Sequence, residues 1–508
     1  MAISVIRMRR DAKALKSACA AGERDALARV EAVLGSDPKV ASHADTLRVL
    51  AREAGFASWS VLKFAAETRV MDRTEQLDRL KIALFHGQGW RVERLLEAAP
   101  DLRRDNLGIM CAMYDVESVR ETLAARPQAA SEPVLGPRTP ILHLAFSRWW
   151  RHGGSEEDML ATAEALKAAG ASVNDSYEQV PGNPLSALYG AVGHASSLRL
   201  AAWLLGNGAD PNDGESLYHA CEIGAPALRL LLDHGARTAR TNALPRALDF
   251  NDPEMVEALL GGGADPNESI HWPETSGEAP FVIPALHQAA RRLCSRRIVA
   301  RLLDAGGNPD EIAWGHSAYA LARMYGNDGA AEEMASRGCR ADLGREEAAI
   351  ADAVAGNAVR RIDPERLPEP TRDMIRSQVH LPQALRRTKS LVDIGLPHDR
   401  PDPQGLTPVH VAGWEGIPDV MAYLLSLGVR LDHVNGYGGD LISTIVHGSG
   451  NAAGERKRDH VACARLALEA GAALRRQEVA FAGEFEMAEF LNDWAEEHPD
   501  QVTEDPLD

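Results

Sequence analysis

Histidines recur at regular places in this sequence, and imidazole can serve as a metal ligand, a general base or a buried hydrogen-bond partner. Four of them occupy equivalent positions in short helical segments, namely His143, His219, His287 and His410. Another, His460, precedes Cys463 by three residues, so both fall on one face of a predicted helix. A zinc site needs three or four ligands at a recognised spacing, and neither set supplies them. We therefore predict neither a metal site nor a cofactor.

This sequence also lacks the motifs of phosphate-binding proteins and of enzymes with a nucleophilic serine. The glycine run 261–263 follows a predicted helix and is not followed by Lys-Ser or Lys-Thr, so it is neither a P-loop nor a dinucleotide-binding loop. Gly448-Ser449-Gly450 lacks the flanking pattern of a nucleophile elbow. We predict no catalytic residue and a chain that is not an enzyme.

The elements that position the histidines are clearest in residues 404–438. Thr407 is a good N-cap, and Pro408 tolerates the first position of a helix because its missing N–H would have no partner there. Gly416 ends that helix, the apolar face of a second helix follows, and Gly428 provides a left-handed stop. Glycine landmarks recur around this unit at an interval of 33 residues. The stretch therefore predicts a helix–helix–turn unit.

A unit of this length that carries Thr-Pro-x-His-x-Ala resembles the ankyrin repeat. The resemblance implies a structural role for the motif histidine, which bonds the threonine hydroxyl and nearby backbone and so ties the turn to the start of the helix. The positions that match the motif, wholly or in part, are Thr139, Pro140, His143, His219, His287, Thr407, Pro408, His410, Ala412, Gly416 and Gly428.

Weaker copies of the unit extend through most of the chain. Two identical Gly-Ala-Asp-Pro-Asn pentapeptides, at 208–212 and 263–267, mark helix ends where glycine takes a positive φ and proline prevents continuation. We predict an all-α fold, an ankyrin-type helical solenoid of about ten helix pairs with degenerate repeats and short hairpins. A small N-terminal helical domain precedes it.

That domain contains the segment 50–63, Leu-Ala-Arg-Glu-Ala-Gly-Phe-Ala-Ser-Trp-Ser-Val-Leu-Lys, which resembles the leader that precedes the repeats in many bacterial ankyrin-repeat proteins. Ser58 is suited to cap a short helix, and Phe56 and Trp59 are the expected core of the leader. The predicted domains are a leader (1–70), a repeat block (71–355), a proline-rich break (356–387), C-terminal repeats with a cap (388–497) and an acidic, disordered tail (498–508).

Composition limits the partners. The net charge of −18 argues against non-specific nucleic-acid binding, and no apolar run is long enough for a membrane span. Six scattered cysteines indicate reduced thiols, so we expect a cytoplasmic protein of bacterial type. Arginine pairs at 291–292, 296–297 and 386–387 are most simply solvated helix faces, although they are also suited to an acidic ligand.

The predicted function is a non-catalytic scaffold or adaptor that binds another protein on its concave helix and hairpin face. Large aromatic residues in irregular segments are the candidate contacts, namely Trp149, Trp150, Trp272, Trp314 and Trp414. Two alternatives stay open: an activity in the leader or in residues 356–387, and a self-associating structural element. The identity of the partner and the oligomeric state are not readable from the sequence.

Overall fold

The computed structural model describes residues 4–35, 38–269, 283–357, 361–453 and 457–504. It is 62% helix and 4% strand, which confirms the all-α class. No described helix is both long and apolar enough to cross a membrane. The chain divides into two compact units, one formed by residues 1–172 together with 471–508 and the other by residues 173–470.

The first unit is built from helices of both chain segments and one short parallel strand pair. Its helices are α1 (Val5–Ala20), α2 (Arg24–Leu34), α3 (His43–Glu53), α4 (Trp59–Thr68), α5 (Arg73–His86), α6 (Gly89–Ala98), α7 (Leu107–Ala112), α8 (Val116–Ala125), α9 (Pro140–Ala145), α10 (Glu156–Ala168), and, from the C-terminal segment, α29 (Arg476–Phe481) and α30 (Phe485–Glu497).

The leader folds as its sequence predicts. The Ser58 hydroxyl accepts a hydrogen bond from the Val61 N–H and caps α4, while Gly55 closes the preceding turn with a φ of 86°. Trp59 is 1% exposed and packs in one core with residues of α1, α2 and α3, and Phe56 lies partly buried at its edge. Burial of an aromatic ring is a large share of the apolar area that so small a core can remove from water.

The helix α30, predicted to cap the last repeat, packs on α3 and α4 of the leader. The Glu496 carboxylate accepts hydrogen bonds from the Arg9 guanidinium at 2.8 and 2.9 Å and from the Trp59 indole at 3.3 Å. Asp493 lies 2.9 Å from Arg48, and burial raises the pKa of this carboxyl to about 6 despite that cation. Acidic residues of α30 thus meet arginines of the leader.

Part of the segment expected to be a disordered tail is ordered. Strand β6 (Val502–Thr503) pairs in parallel with β5 (Leu474–Arg475). The Gln501 side chain also donates to the Ala472 carbonyl at 2.6 Å. The prediction of disorder is therefore wrong for residues 498–504, because backbone pairing with a distant strand is not visible in local composition.

In its described residues the second unit is a run of helix pairs with two antiparallel hairpins, β1 (Ser176–Val180) with β2 (Asn183–Ser186) and β3 (Ile312–Ala313) with β4 (His316–Ser317). Its helices are α11 (Ala187–Tyr189, continued by a π-helical turn Gly190–His194), α12 (Leu198–Gly206), α13 (Ser216–Ala220), α14 (Ala225–Asp233), α15 (Ala243–Phe250), α16 (Pro253–Gly261), α17 (Ala285–Arg291), α18 (Arg296–Asp304), α19 (Ala318–Met324), α20 (Asp328–Ser336), α21 (Arg345–Ala355), α22 (Glu369–Arg372), α23 (Met374–Gln378), α24 (Ala384–Asp393), α25 (Pro408–Trp414), α26 (Pro418–Ser426), α27 (Leu441–Asn451) and α28 (His460–Glu469).

Helices of this unit pack in two rows. The first helices of successive pairs contact one another in the series α13, α15, α17 and α19, and the second helices do so in the series α14, α16, α18 and α20. The same alternation joins α25 to α27 and α26 to α28. Glycine ends several of the second helices, with a φ of 93° at Gly208 and 83° at Gly428. Each pair therefore buries its apolar faces against its neighbours.

The proline-rich segment 356–387 contains short helices where it is described. There α23 packs on α25, and α24 packs on both α21 and α26. Arg387 is 7% exposed and donates to the carbonyl oxygens of Tyr325 and Pro382. It is therefore a buried helix-end partner and not part of a solvated face.

Leu424 and Leu425 allow a matched test of the packing in α26. Leu424 is fully buried, whereas Leu425 is partly exposed. We expect Leu424→Ala to lower the free energy of unfolding by ~2–5 kcal/mol because it leaves a cavity, and Leu425→Ala to cost clearly less. Trp414→Ala, at a partly exposed site, should also cost less than Leu424→Ala. Urea unfolding measures all three, and equal losses for Leu424→Ala and Trp414→Ala would mean that Trp414 is a core residue.

Candidate protein-binding surface

The motif histidines bond to nearby hydroxyl and backbone groups. A hydrogen bond of 2.8 Å joins the Thr407 hydroxyl to His410 Nδ1, which is the contact that the repeat motif implies. His143 Nε2 donates to the Val134 carbonyl at 2.7 Å, and His287 Nε2 donates to the His316 carbonyl at 3.1 Å. Burial lowers the pKa of both His143 and His410 to about 4. These imidazoles are neutral tethers between a helix and a turn.

His219 holds the same motif position but is set between two carboxylates. Its ring nitrogens lie 3.4 Å from Glu215 and 3.5 Å from Glu222. Burial disfavours the charged ring, yet the two glutamates outweigh that effect and raise the pKa of His219 to about 9. His219 is therefore a cation at neutral pH.

From Glu222 a line of paired charges, the charge ladder, crosses three successive first helices. Arg246 on α15 lies 2.7 Å from Glu222, in the turn directly after α13, and 3.4 Å from Asp249. Asp249 in turn lies 2.7 Å from Arg292 at the end of α17 and accepts a hydrogen bond from Gln288. These charges neutralise one another and fix the relative positions of the first helices.

Trp314 occupies the tip of the β3–β4 hairpin, beside the end of this ladder. The hairpin has a two-residue turn in which Trp314 and Gly315 both have positive φ, 56° and 76°. Such a turn favours asparagine, aspartate or glycine, and a bulky aromatic in the left-handed region costs about 1–2 kcal/mol. The Trp314 ring lies over the Arg291 guanidinium at 5.4 Å, and Ile312 on the same hairpin is 63% exposed. A strained aromatic in this setting points to a function.

The hairpin is held on several sides. His287 on α17 bonds the His316 carbonyl, and the His316 ring contacts Glu347 and lies 2.8 Å from the Thr371 hydroxyl. A Cβ on Gly315 would come within 2.8 Å of the Pro368 ring. The Trp314 side chain is consequently presented by a rigid support.

The arginines near this hairpin differ in their partners. Arg292 pairs with Asp249, Arg296 with Glu333 at 2.8 Å and Arg297 with Glu257 at 2.7 Å. Arg291 lies within ion-pair distance of no carboxylate among the described residues. Within the described parts of the chain its one hydrogen bond runs from Nε to the neutral Gln288 side chain, at 2.6 Å. Sequence inspection groups these four arginines together, and only the structure separates Arg291 from the rest.

Trp414 lies at the end of α25 in a polar setting. Its ring is 5.3 Å from the His447 ring, and its carbonyl accepts a hydrogen bond of 2.8 Å from His460 Nε2. The side chain is partly exposed. His447 and His460 therefore pack against Trp414, and no group of three or more metal-binding side chains occurs among the described residues.

The remaining tryptophan candidates are placed differently. Trp149 packs against the core of the first unit, and its ring covers Gly153 and Gly154 so closely that a Cβ on either would come within 2.6 Å of it. Trp150 is partly exposed, with the Arg151 guanidinium 5.4 Å from its ring. Trp272 lies outside the described residues. For Trp149 this placement favours packing over contact with a partner.

Sequence analysis did not identify two exposed residues, one in a hairpin and one in a turn. Ile312 is 63% exposed, and Tyr437, in the turn that follows α26, is 73% exposed. A surface pocket of about 430 Å³ also lies between Pro364 and Pro401. Two of its three arginines form ion pairs: Arg372 with Glu365, and Arg400 with Glu369 and Asp373. An apolar residue next to turn glycines was the signal available for Tyr437.

Comparison with known proteins supports the repeat interpretation. A family model described as ankyrin repeats, in three copies, matches residues 188–270. This range covers the helix pairs from α11 to α16 and most of the charge ladder. No curated protein matches the chain.

The charge state of His219 is testable through stability. Because its pKa of about 9 lies above the ordinary value of 6.5, its stabilising contribution is fully present below pH 6.5 and is lost as the pH rises through 9. We expect His219→Gln to lower the free energy of unfolding by on the order of 1–3 kcal/mol at pH 6.5 and by little at pH 9.5. A destabilisation in urea that is equal at both pH values would contradict a charged His219.

The strained hairpin gives a second test. We expect Gly315→Ala to lower the free energy of unfolding by more than about 2 kcal/mol, because the methyl group meets Pro368 as well as an unfavourable φ. Gly338→Ala is the matched control, since Gly338 has a φ of 85° with open space around its Cβ position. Thermal unfolding compares the two variants. An equal loss of stability in both would show that the added methyl group at position 315 does not clash with Pro368.

Proposed function

We propose that this chain, whose residues 188–270 are ankyrin repeats, is a non-catalytic scaffold or adaptor that binds another protein along its first helices and hairpin tips. The observation that carries the proposal is the Trp314 hairpin, where an aromatic ring in a costly conformation lies over Arg291 beside the exposed Ile312. Tryptophan and arginine are enriched among the residues that contribute most to binding energy at protein interfaces.

The proposal extends the repeat architecture beyond the matched residues. An ankyrin-type solenoid of about ten helix pairs is supported by the two rows of helices and by the motif contact between Thr407 and His410. In such an array each repeat offers a few side chains to a partner and leaves its apolar faces in the stack. Tyr437, exposed in the turn that follows α26, is a further contact in this scheme.

Other parts of the proposal rest on charge and on the roles of the histidines. The net charge of −18 supports a protein partner over a nucleic acid, and we propose a cytoplasmic location. A non-catalytic role is supported by His143, His287 and His410, each engaged by hydroxyl or backbone groups.

Site-specific photo-crosslinking tests which face binds. A benzophenone amino acid replaces Ile312 or Tyr437 at the hairpins, or Arg229 or Arg301 on the second helices, and the native host cells are irradiated. We expect a distinct crosslinked protein from the hairpin positions and none of that mass from α14 and α18. All four positions are partly or fully exposed, so reagent access is matched.

The outcome distinguishes the open alternatives. A crosslink of the same protein from the second helices, and none from the hairpins, would overturn the assignment of the face. A crosslinked species that consists of two copies of this chain would favour the self-associating element instead.

A further inference from the structure

Arg291 is a cation with unused hydrogen-bonding capacity. It is the last residue of α17 and is partly exposed. Its Nε donates to the Gln288 side chain, while its two terminal nitrogens bond to no atom of the described residues. The Trp314 ring covers one side of it at 5.4 Å. The planar guanidinium therefore keeps its two-pronged edge available for a ligand.

The surroundings of Arg291 disfavour its charge. Burial, together with the neighbouring Arg292, lowers the pKa of Arg291 to about 9. The carboxylate closest along the charge ladder, Asp249, is already bound to Arg292 and Gln288. A positive charge in a partly desolvated place without a counter-ion is unfavourable, and a carboxylate from outside would relieve it.

Two other arginines of the region donate hydrogen bonds to backbone carbonyl groups. Arg386 donates to the Val354 carbonyl at 2.7 Å, and Arg387 donates to the Tyr325 carbonyl at 2.6 Å. Both carbonyls belong to helix ends, where arginine stabilises unpaired acceptors. Arg291 has no such carbonyl partner among the described residues.

We propose that Arg291 and Trp314 bind an aspartate or glutamate side chain of the partner, with an adjoining apolar residue of the same segment on Ile312. The carboxylate accepts two parallel hydrogen bonds from the terminal guanidinium nitrogens, and Trp314 shields this pair from water. The partner segment thus carries an acidic residue beside an apolar one. This inference rests on the proposed function and specifies the partner's chemistry at its central contact.

Selection from a peptide library tests the chemistry directly. The full chain is immobilised and presented with random twelve-residue peptides displayed on phage. We expect the enriched peptides to carry Asp or Glu beside Ile, Leu, Val or Phe. A chain with a net charge of −18 disfavours acidic peptides in general, so such enrichment reports a local cation.

A double-mutant cycle with the best synthetic peptide then assigns the contact. We expect Arg291→Gln in the protein and the acid-to-amide change in the peptide each to weaken binding at least tenfold, and their combination to weaken it no further. The matched control is Arg297→Gln, which removes a more exposed arginine already paired with Glu257 and should change affinity less than twofold.

Several results would overturn the inference. These are selection of no peptide, selection of peptides without acidic residues, an equal loss for Arg291→Gln and Arg297→Gln, or additive losses in the cycle. If Arg291→Gln does not fold, the acid-to-amide change measured on the wild-type chain decides. If Ile312 crosslinks to a partner but the selected peptides show no preference for acidic residues, this inference is refuted and the proposed function is still supported.

Discussion

The first helix of each pair is too short to be stable in isolation. A hydrogen bond from a histidine side chain holds some of these helices in place. The helices α13, α15, α17, α19 and α25 are five to eight residues long, well below the length at which an isolated helix is stable in water. In α17 the tether runs from His287 to the backbone of the following hairpin. The residue that holds this helix thus also fixes the backbone that carries Trp314. The proposed binding contact and the packing of α17 depend on the same hydrogen bond, and burial, which lowers the pKa of His287, keeps the imidazole neutral near neutral pH.

Local signals account for what the sequence predicted well. Thr407, Pro408 and Gly416 flank or begin α25 as predicted, because the preference of proline for the first turn and of glycine for a positive φ depends on residues adjacent in the chain. The partner of α30 was not predictable in this way. Its apolar stripe fits many surfaces, and the choice depends on Arg9 and Arg48, which lie more than 440 residues away in sequence. The same reasoning explains the parallel strand pair near residue 502.

The candidate site was only partly visible in the sequence. Trp149 and Trp314 look alike there, since both are large aromatics in irregular segments. The Trp149 ring packs on Gly153 and Gly154. The Trp314 ring lies over Arg291 at a strained turn. Residues of neighbouring helices determine whether a tryptophan is packed in the core or available to a partner. Likewise, the four arginines between 291 and 297 become distinguishable only once their carboxylate partners are known.

Because α30 packs on the leader, the first unit is formed by two segments that are far apart in the chain. This arrangement affects how the protein folds during translation. A ribosome completes all of residues 173–470 before α30 emerges, so the leader helices α3 and α4 lack one packing partner for most of translation. The ion pair between Arg9 and Glu496 then closes a loop of 487 residues. Prior folding of the intervening second unit shortens the effective length of that loop. The order of synthesis therefore favours folding of the second unit first and of the leader last.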